Sequence, residues 1–228
     1  MITEESRIDL KEVNMKRATL IALAAFLVLA AGLYGQVVPK SHLPVLTTSA
    51  GQSPDVETVN IVMEEAGLGY DYCDVPTAEM AASGVGLGGR ESAPGFHVEV
   101  HTDLVKFPKG TAYKTAIFAI GASLKGMGAS GLTLESEEAR LKKLIDYCRQ
   151  NKIFVIAAHI GGESKRGAPK SDNERMIDAV APFADYLIVT KDSNKDGRFT
   201  AIAKAKSIPL SEVDYALGLV DLLKQVLQ

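Results

Sequence analysis

Hydrophobic positions along the chain fall into two alternating patterns. Short apolar, β-rich runs occur at residues 43–48, 70–73, 115–120, 153–158 and 186–190. Between them lie segments with apolar residues at helical spacing. In the first, Val56, Val59, Val62, Met63 and Ala66 share one face, Asp55 stands just before it as the expected N-cap, and Gly67 and Gly69 end it. The strongest spans 136–150, with Leu141, Leu144, Ile145 and Cys148 inward and Glu137, Glu138, Arg140, Lys142 and Lys143 outward. Further helices are expected at 172–183, 199–206 and 211–227, the last with Val213, Leu217, Val220, Leu223 and Leu227 inward. Strands alternating with helices at this spacing predict βαβ units and a parallel sheet. Near-continuous apolar strands predict burial on both faces. The expected fold is one three-layer α/β sandwich over residues 44–228, with a mostly parallel sheet of about five strands, flavodoxin-like or Rossmann-like in order.

Residues 74–110 break the rhythm. Five glycines (84, 86, 88, 89 and 95), with Pro76 and Pro94, predict a long excursion, inside which 96–101 alternates like an exposed strand. His97, Glu99 and His101 would share a face of that strand. A metal site there and a plain surface strand are the two readings, and the surface strand is favoured.

In a parallel α/β sheet the loops after the strands gather at the carboxyl edge, where ligands bind. Four such loops carry the candidate chemistry. The first offers Ser49, Gln52, Ser53 and Asp55 at the start of a helix. The second, residues 121–131, is rich in glycine and contains Ser123 and Lys125, but it lacks the Gly-Lys-Ser/Thr ending of a P-loop. The third begins at His159, turns at Gly161-Gly162, carries Glu163, Lys165 and Arg166, and ends at Ser171-Asp172. Arg166 could neutralise a carboxylate or phosphate bidentately. The fourth, residues 191–198, reads Asp192-x-Asn194-x-Asp196-Gly197, like the opening of a calcium loop. Its twelfth position is Ala203 instead of the required Glu, which favours a turn and helix cap. No metal or cofactor is expected. The expected ligand contacts are Ser49, Gln52, Ser53, Ser123, Lys125, His159, Gly161, Gly162, Arg166 and Ser171.

Composition narrows the partners. With 25 Lys plus Arg against 28 Asp plus Glu and a net charge of −3, nothing suggests nucleic acid. The chain has no Trp and only 6% aromatic residues, which argues against a stacking platform for bases. Met15-Lys16-Arg17, the apolar run 18–31 and the small residues Ala30-Ala31-Gly32 follow the order of a secretory signal peptide. The polar residues 1–14 do not fit that order, so Met15 is the expected start and 1–14 an extension; 33–43 read as a linker. An uncleaved anchor near 18–35 is the competing reading. Export permits a disulfide between Cys73 and Cys148, although two buried free thiols are favoured.

The leading functional reading is extracytoplasmic binding of a small anionic or polar ligand, serving a membrane transporter or sensor. One alternative is an exported hydrolase or transferase with His159 as general base, oriented by Asp192 or Glu163. The other is an interaction module using 74–110. Residues 47–55 (TTSAGQSPD), the 121–131 loop and His159-Ile160-Gly161-Gly162 resemble a domain-of-unknown-function family of small exported bacterial α/β proteins. The resemblance covers about residues 44–228, implies the fold, and assigns no activity.

Overall fold

The computed structural model describes residues 38–228. The extension, the signal-like segment and the first part of the linker lie outside the described residues. Seven strands form one sheet: β1 (Val45–Ala50), β2 (Asp71–Cys73), β3 (Val98–Val100), β4 (Thr115–Ile120), β5 (Phe154–His159), β6 (Tyr186–Thr190) and β7 (Leu210–Val213). They lie in the order β3-β2-β1-β4-β5-β6-β7. Every pairing is parallel except that of β2 with β3. Leaving β3 aside, the strands follow a flavodoxin-like order.

Central strands form where both faces can be buried. Along β4, Ala116, Phe118 and Ile120 face one core while Ile117 and Ala119 face the other, and all five are at most 1% exposed. One face is covered by α1 (Asp55–Glu65) and α7 (Leu219–Val226), whose Val56, Val59, Met63, Leu219 and Leu223 pack on Ile117, Ile156 and Ile188. The other is covered by α2 (Ala78–Ala82), α4 (Leu134–Gln150), α5 (Asp172–Val180) and α6 (Arg198–Lys206). The α4 stripe of Leu141, Leu144, Ile145 and Cys148 is fully buried there. Burying each of these side chains contributes about 1.5–3 kcal/mol before chain entropy is counted. A capping box starts α4: Thr133 Oγ1 accepts from the Ser136 amide at 3.2 Å, and Ser136 Oγ accepts from the Thr133 amide at 2.8 Å. Among the described residues, no helix is long and apolar enough to cross a membrane.

Two expectations change. The sheet has seven strands, because β3 and β7 add to the expected five. The terminal helix at 211–227 is also corrected. Residues 210–213 pair with β6, with Ser211 opposite Ile188 and accepting a 2.6 Å hydrogen bond from the Tyr186 hydroxyl, and only α7 is helical. Val213 and Leu217 suit a helical period, but the open edge of β6 is a stronger partner for this segment. The linker also gains structure at its end: the Ser41 amide donates to the Val226 carbonyl at 2.7 Å.

The excursion is tied to the sheet by two acids. Asp71, fully buried in β2, accepts on Oδ2 from the Gly86 amide and the Tyr113 hydroxyl, both at 2.6 Å. Asp74 accepts on Oδ1 from the amides of Val75 and His97 at 2.8 and 2.9 Å. After β1 the chain turns to β2 on one side, and it later crosses to β4 on the other. The connections leave the carboxyl ends of β1 and β4 for opposite faces of the sheet, and the edge crevice beside such a switch point is the usual place for a ligand.

Candidate functional site

The crevice is built around a tight turn. Gly51 has φ +96°, and a Cβ there would lie 2.6 Å from the Gly121 carbonyl oxygen and 2.7 Å from Met176 Cγ. Gln52 follows with φ +57°, a left-handed conformation that costs a non-glycine residue about 1–2 kcal/mol. The turn holds it there. Gln52 pairs with Ala122 in an isolated antiparallel bridge, and the Ser123 amide donates to the Gly51 carbonyl at 2.7 Å. The Gly51 amide in turn donates to Glu137 Oε1 at 2.8 Å. Glu137 is fully buried and doubly paired with Arg140, whose guanidinium also donates to the Ser49 carbonyl at 2.9 Å. Sequence reading placed Glu137 and Arg140 on the outer face of α4; both turn inward to brace the β1 loop, because two opposite charges bury together where neither could alone.

Beside this turn lies a cleft of about 620 Å³. Five of the expected contacts line it: Ser49, Gln52, Ser53, Ser123 and Lys125. Ser123 caps the short helix α3 (Leu124–Ala129), which replaces part of the expected 121–131 loop. Gly126 lets α3 approach the turn, since a Cβ there would meet the Gln52 carbonyl oxygen at 2.5 Å. The Gln52 side chain reaches across the cleft to donate to the Asp74 carbonyl at 2.7 Å. Ser53 Oγ donates to Asp55 Oδ2 at 2.9 Å. Asp55 begins α1 as its first residue instead of capping it. The Oγ of Ser49 is buried, at 1% residue exposure, and has no hydrogen-bond partner. An orphaned hydroxyl of this kind calls for an explanation.

The rest of the cleft lining includes residues that sequence reading did not assign to the site: Glu57 in the first turn of α1, Ser130 at the end of α3, and Tyr72, Asp74, Phe96 and His97 from β2 and the excursion. Burial pushes the Asp74 carboxyl above the usual carboxylate range, against the pull of the His97 and Val75 amides. Asp74 follows β2 directly, so the carboxyl-edge rule reaches it once β2 is known to neighbour β1. Phe96 and His97 belong to the excursion, and only the β2–β3 pairing brings them back.

The third loop forms a separate cluster. His159, Gly161, Gly162, Arg166 and Ser171 do not line the cleft. Arg166 is bound within the protein, pairing with Glu174 at 2.7 Å and Asp196 at 2.7 Å and donating to the Ser193 carbonyl at 2.6 Å. Glu174 is 1% exposed and also pairs with Arg198. Arg166 thus locks the β5–α5 loop to the β6–α6 loop, and its guanidinium is not free for a ligand. Removing it would leave the buried Glu174 with Arg198 as its one ion-pair partner among the described residues and would cut the link between the two loops. Ser171 precedes α5, and its buried Oγ has no partner.

His159 is fully buried and both ring nitrogens are engaged. Nε2 lies 3.1 Å from the Lys165 carbonyl and so carries the hydrogen, while Nδ1 accepts from Ser193 Oγ at 2.8 Å. Ser193 Oγ also accepts from the Gly162 amide at 3.1 Å. Burial lowers the His159 pKa. Neither Asp192 nor Glu163 orients the ring, contrary to the general-base expectation. Asp192 accepts from the Glu163 amide at 2.8 Å and both carboxylates pair with Lys195.

In the calcium-like loop, Asn194 Oδ1 accepts from the Phe199 amide at 2.8 Å and Asp196 binds Arg166, so the segment acts as a turn and helix cap. Flanking β3, His97 and His101 each bond one oxygen of Glu99, at 2.7 and 2.9 Å, in an exposed row. Among the described residues, no group of three or more His, Cys, Asp or Glu side chains is arranged to hold a metal ion.

Residues 42–227 match the family model described as a domain of unknown function, DUF6305. The chain belongs to this family. A search of curated proteins returns no match. Among solved structures, the chain is similar to a GDSL-like lipase from Bacteroides thetaiotaomicron at 12% identity and a TM-score of 0.32, over 74% of this chain and 66% of the lipase. The chain thus spans just under two thirds of that protein. It is also similar to the YdjI aldolase from Escherichia coli K12 at 14% identity and a TM-score of 0.26, over 82% of this chain and 74% of the aldolase.

Proposed function

We propose that this DUF6305 domain binds a small polar ligand in the cleft at the carboxyl edge of the sheet, between the β1–α1 turn, α3 and the excursion, and that it does so outside the cytoplasm in the service of a membrane transporter or sensor. The observation that carries the binding reading is the Ser49 hydroxyl, buried, without a partner among the described residues, and in the lining of a cleft at the carboxyl edge of the sheet. A ligand group hydrogen-bonded there would satisfy it. The strained Gln52 supports the same reading, since strain of this kind gathers at binding sites. The excursion walls this cleft, which favours ligand binding over the interaction module. The signal-like pattern at residues 15–32 supports export.

Thermal unfolding of the full chain against a panel of sugars, amino acids, amines, dicarboxylates and phosphates tests the binding reading. A ligand at a hundred times its Kd adds about 2.7 kcal/mol, which is about 5–10 °C in Tm for a domain of this size. Ala129→Phe places a ring in the cleft and should abolish that shift while leaving the unliganded Tm nearly unchanged. A panel in which no class raises Tm would overturn the reading.

A further inference from the structure

The charges on the cleft walls specify the chemistry of the ligand; this inference rests on the ligand-binding reading above. One corner of the cleft gathers Tyr72, Asp74 and Glu57. Asp74 is 9% exposed; Oδ1 takes two backbone amides, while Oδ2 has no hydrogen bond among the described residues. Glu57 has no ion pair among the described residues. Asp74 follows Tyr72 by two residues at the end of β2, and Glu57 lines the same cleft. Tyr72 and Glu57 also line an adjoining groove of about 430 Å³, together with Glu64 and Glu99. The titratable cations of the cleft are Lys125 and, when protonated, His97, whose Nε2 is already held by Glu99. Arg166, expected from the sequence to make the site positive, is bound elsewhere.

An anion at the Tyr72 corner would face two carboxylates of like charge, a costly juxtaposition. An ammonium would gain charge-assisted hydrogen bonds to Asp74 Oδ2 and Glu57, beside the Tyr72 ring, whose centroid lies 5.7 Å from that of His97. We infer that the cleft takes a small primary amine, its ammonium held by Tyr72, Asp74 and Glu57 and its other polar end directed to Gln52, Ser123 and Lys125. Ser49 Oγ would accept or donate a hydrogen bond at the floor between them.

Isothermal titration of the full chain with three four-carbon probes tests this: 4-aminobutan-1-ol, butane-1,4-diol and 4-hydroxybutanoate. The amino alcohol should bind at least tenfold more tightly than the other two, and Ala129→Phe should remove its binding. Glu57→Gln and Asp74→Asn should each weaken it about tenfold, which is about 1.4 kcal/mol. Asn keeps an oxygen for the two amides that Asp74 accepts, so the fold should survive. Diol or hydroxy acid binding as tightly as the amine in the cleft would overturn the charge assignment and leave the cleft reading standing. Absence of binding by the amino alcohol would overturn it too, and the wider panel then decides the cleft reading separately.

Discussion

His159 shows how far a residue's position can mislead about its role. It ends a central strand at the ligand-binding edge, which is where a general base would stand. Its ring is instead one link in a closed chain of hydrogen bonds: Lys165 carbonyl, His159, Ser193, Thr190. With every donor and acceptor matched, the neutral ring is the stable form and protonation would break the Ser193 bond. Burial lowers the folded-state pKa below the unfolded value of about 6.5. The unfolded chain therefore binds a proton that the folded chain refuses. The stability due to neutral His159 is fully present above about pH 6.5 and falls as pH drops below it, by up to about 1.4 kcal/mol per unit. Urea unfolding at pH 7.0 and 5.5 checks this. His159→Gln should be less stable than the native chain at pH 7.0, by about 1–3 kcal/mol for the lost hydrogen bonds. It should also lose less on going to pH 5.5, by about 1 kcal/mol. An equal pH loss in both proteins would mean that His159 does not titrate as its burial requires.

At the scale of elements, the β1–α1 turn decides whether the cleft exists. Gly51 is the position where the backbone must take a positive φ while passing against Gly121 and Met176. Gly51→Ala adds a methyl group with no room and places it in a conformation that costs an L residue about 1–2 kcal/mol, with overpacking of about 1–3 kcal/mol more. Chemical denaturation should show a loss of about 2–5 kcal/mol, and any ligand that stabilises the native chain should do so less. A loss under 1 kcal/mol would show that the turn is more pliant than its contacts imply. The same turn marks the limit of sequence reading. Ser49, Gln52, Ser53, Ser123 and Lys125 are legible because they follow strands whose double-sided burial writes itself as continuous apolar runs. The rest of the lining is less legible, because only the three-residue β2–β3 ladder brings His97 to Tyr72 and Asp74. Strands of three residues carry little periodicity. β7 was hidden in the same way: Leu210–Val213 runs into a helical pattern, and what makes it a strand is the open edge of β6.

For the whole molecule, the question is what holds the domain together if its two cysteines form no crosslink. Cys73 on β2 and Cys148 on α4 both face the larger core, and both are free and 0% exposed. Burial pushes each thiol up to about 12. A protonated, buried thiol is a poor nucleophile toward another disulfide or an alkylating reagent. The sheet, packed on both faces across residues 38–228, has enough core to be stable without a bridge. The Tm should therefore be the same with and without a thiol reductant, and a disulfide reagent should label both cysteines rapidly in denaturant. Labelling in native buffer should be slow and should accelerate in proportion to the population of the unfolded state, because only opening of the core exposes the sulfurs. A Tm lowered several degrees by reductant would show instead that the two thiols pair, and that α4 and β2 lie in a different register from the one described. Rapid native labelling of Cys73 alone would show that the β2 edge, one wall of the proposed ligand cleft, opens independently of the rest of the sheet.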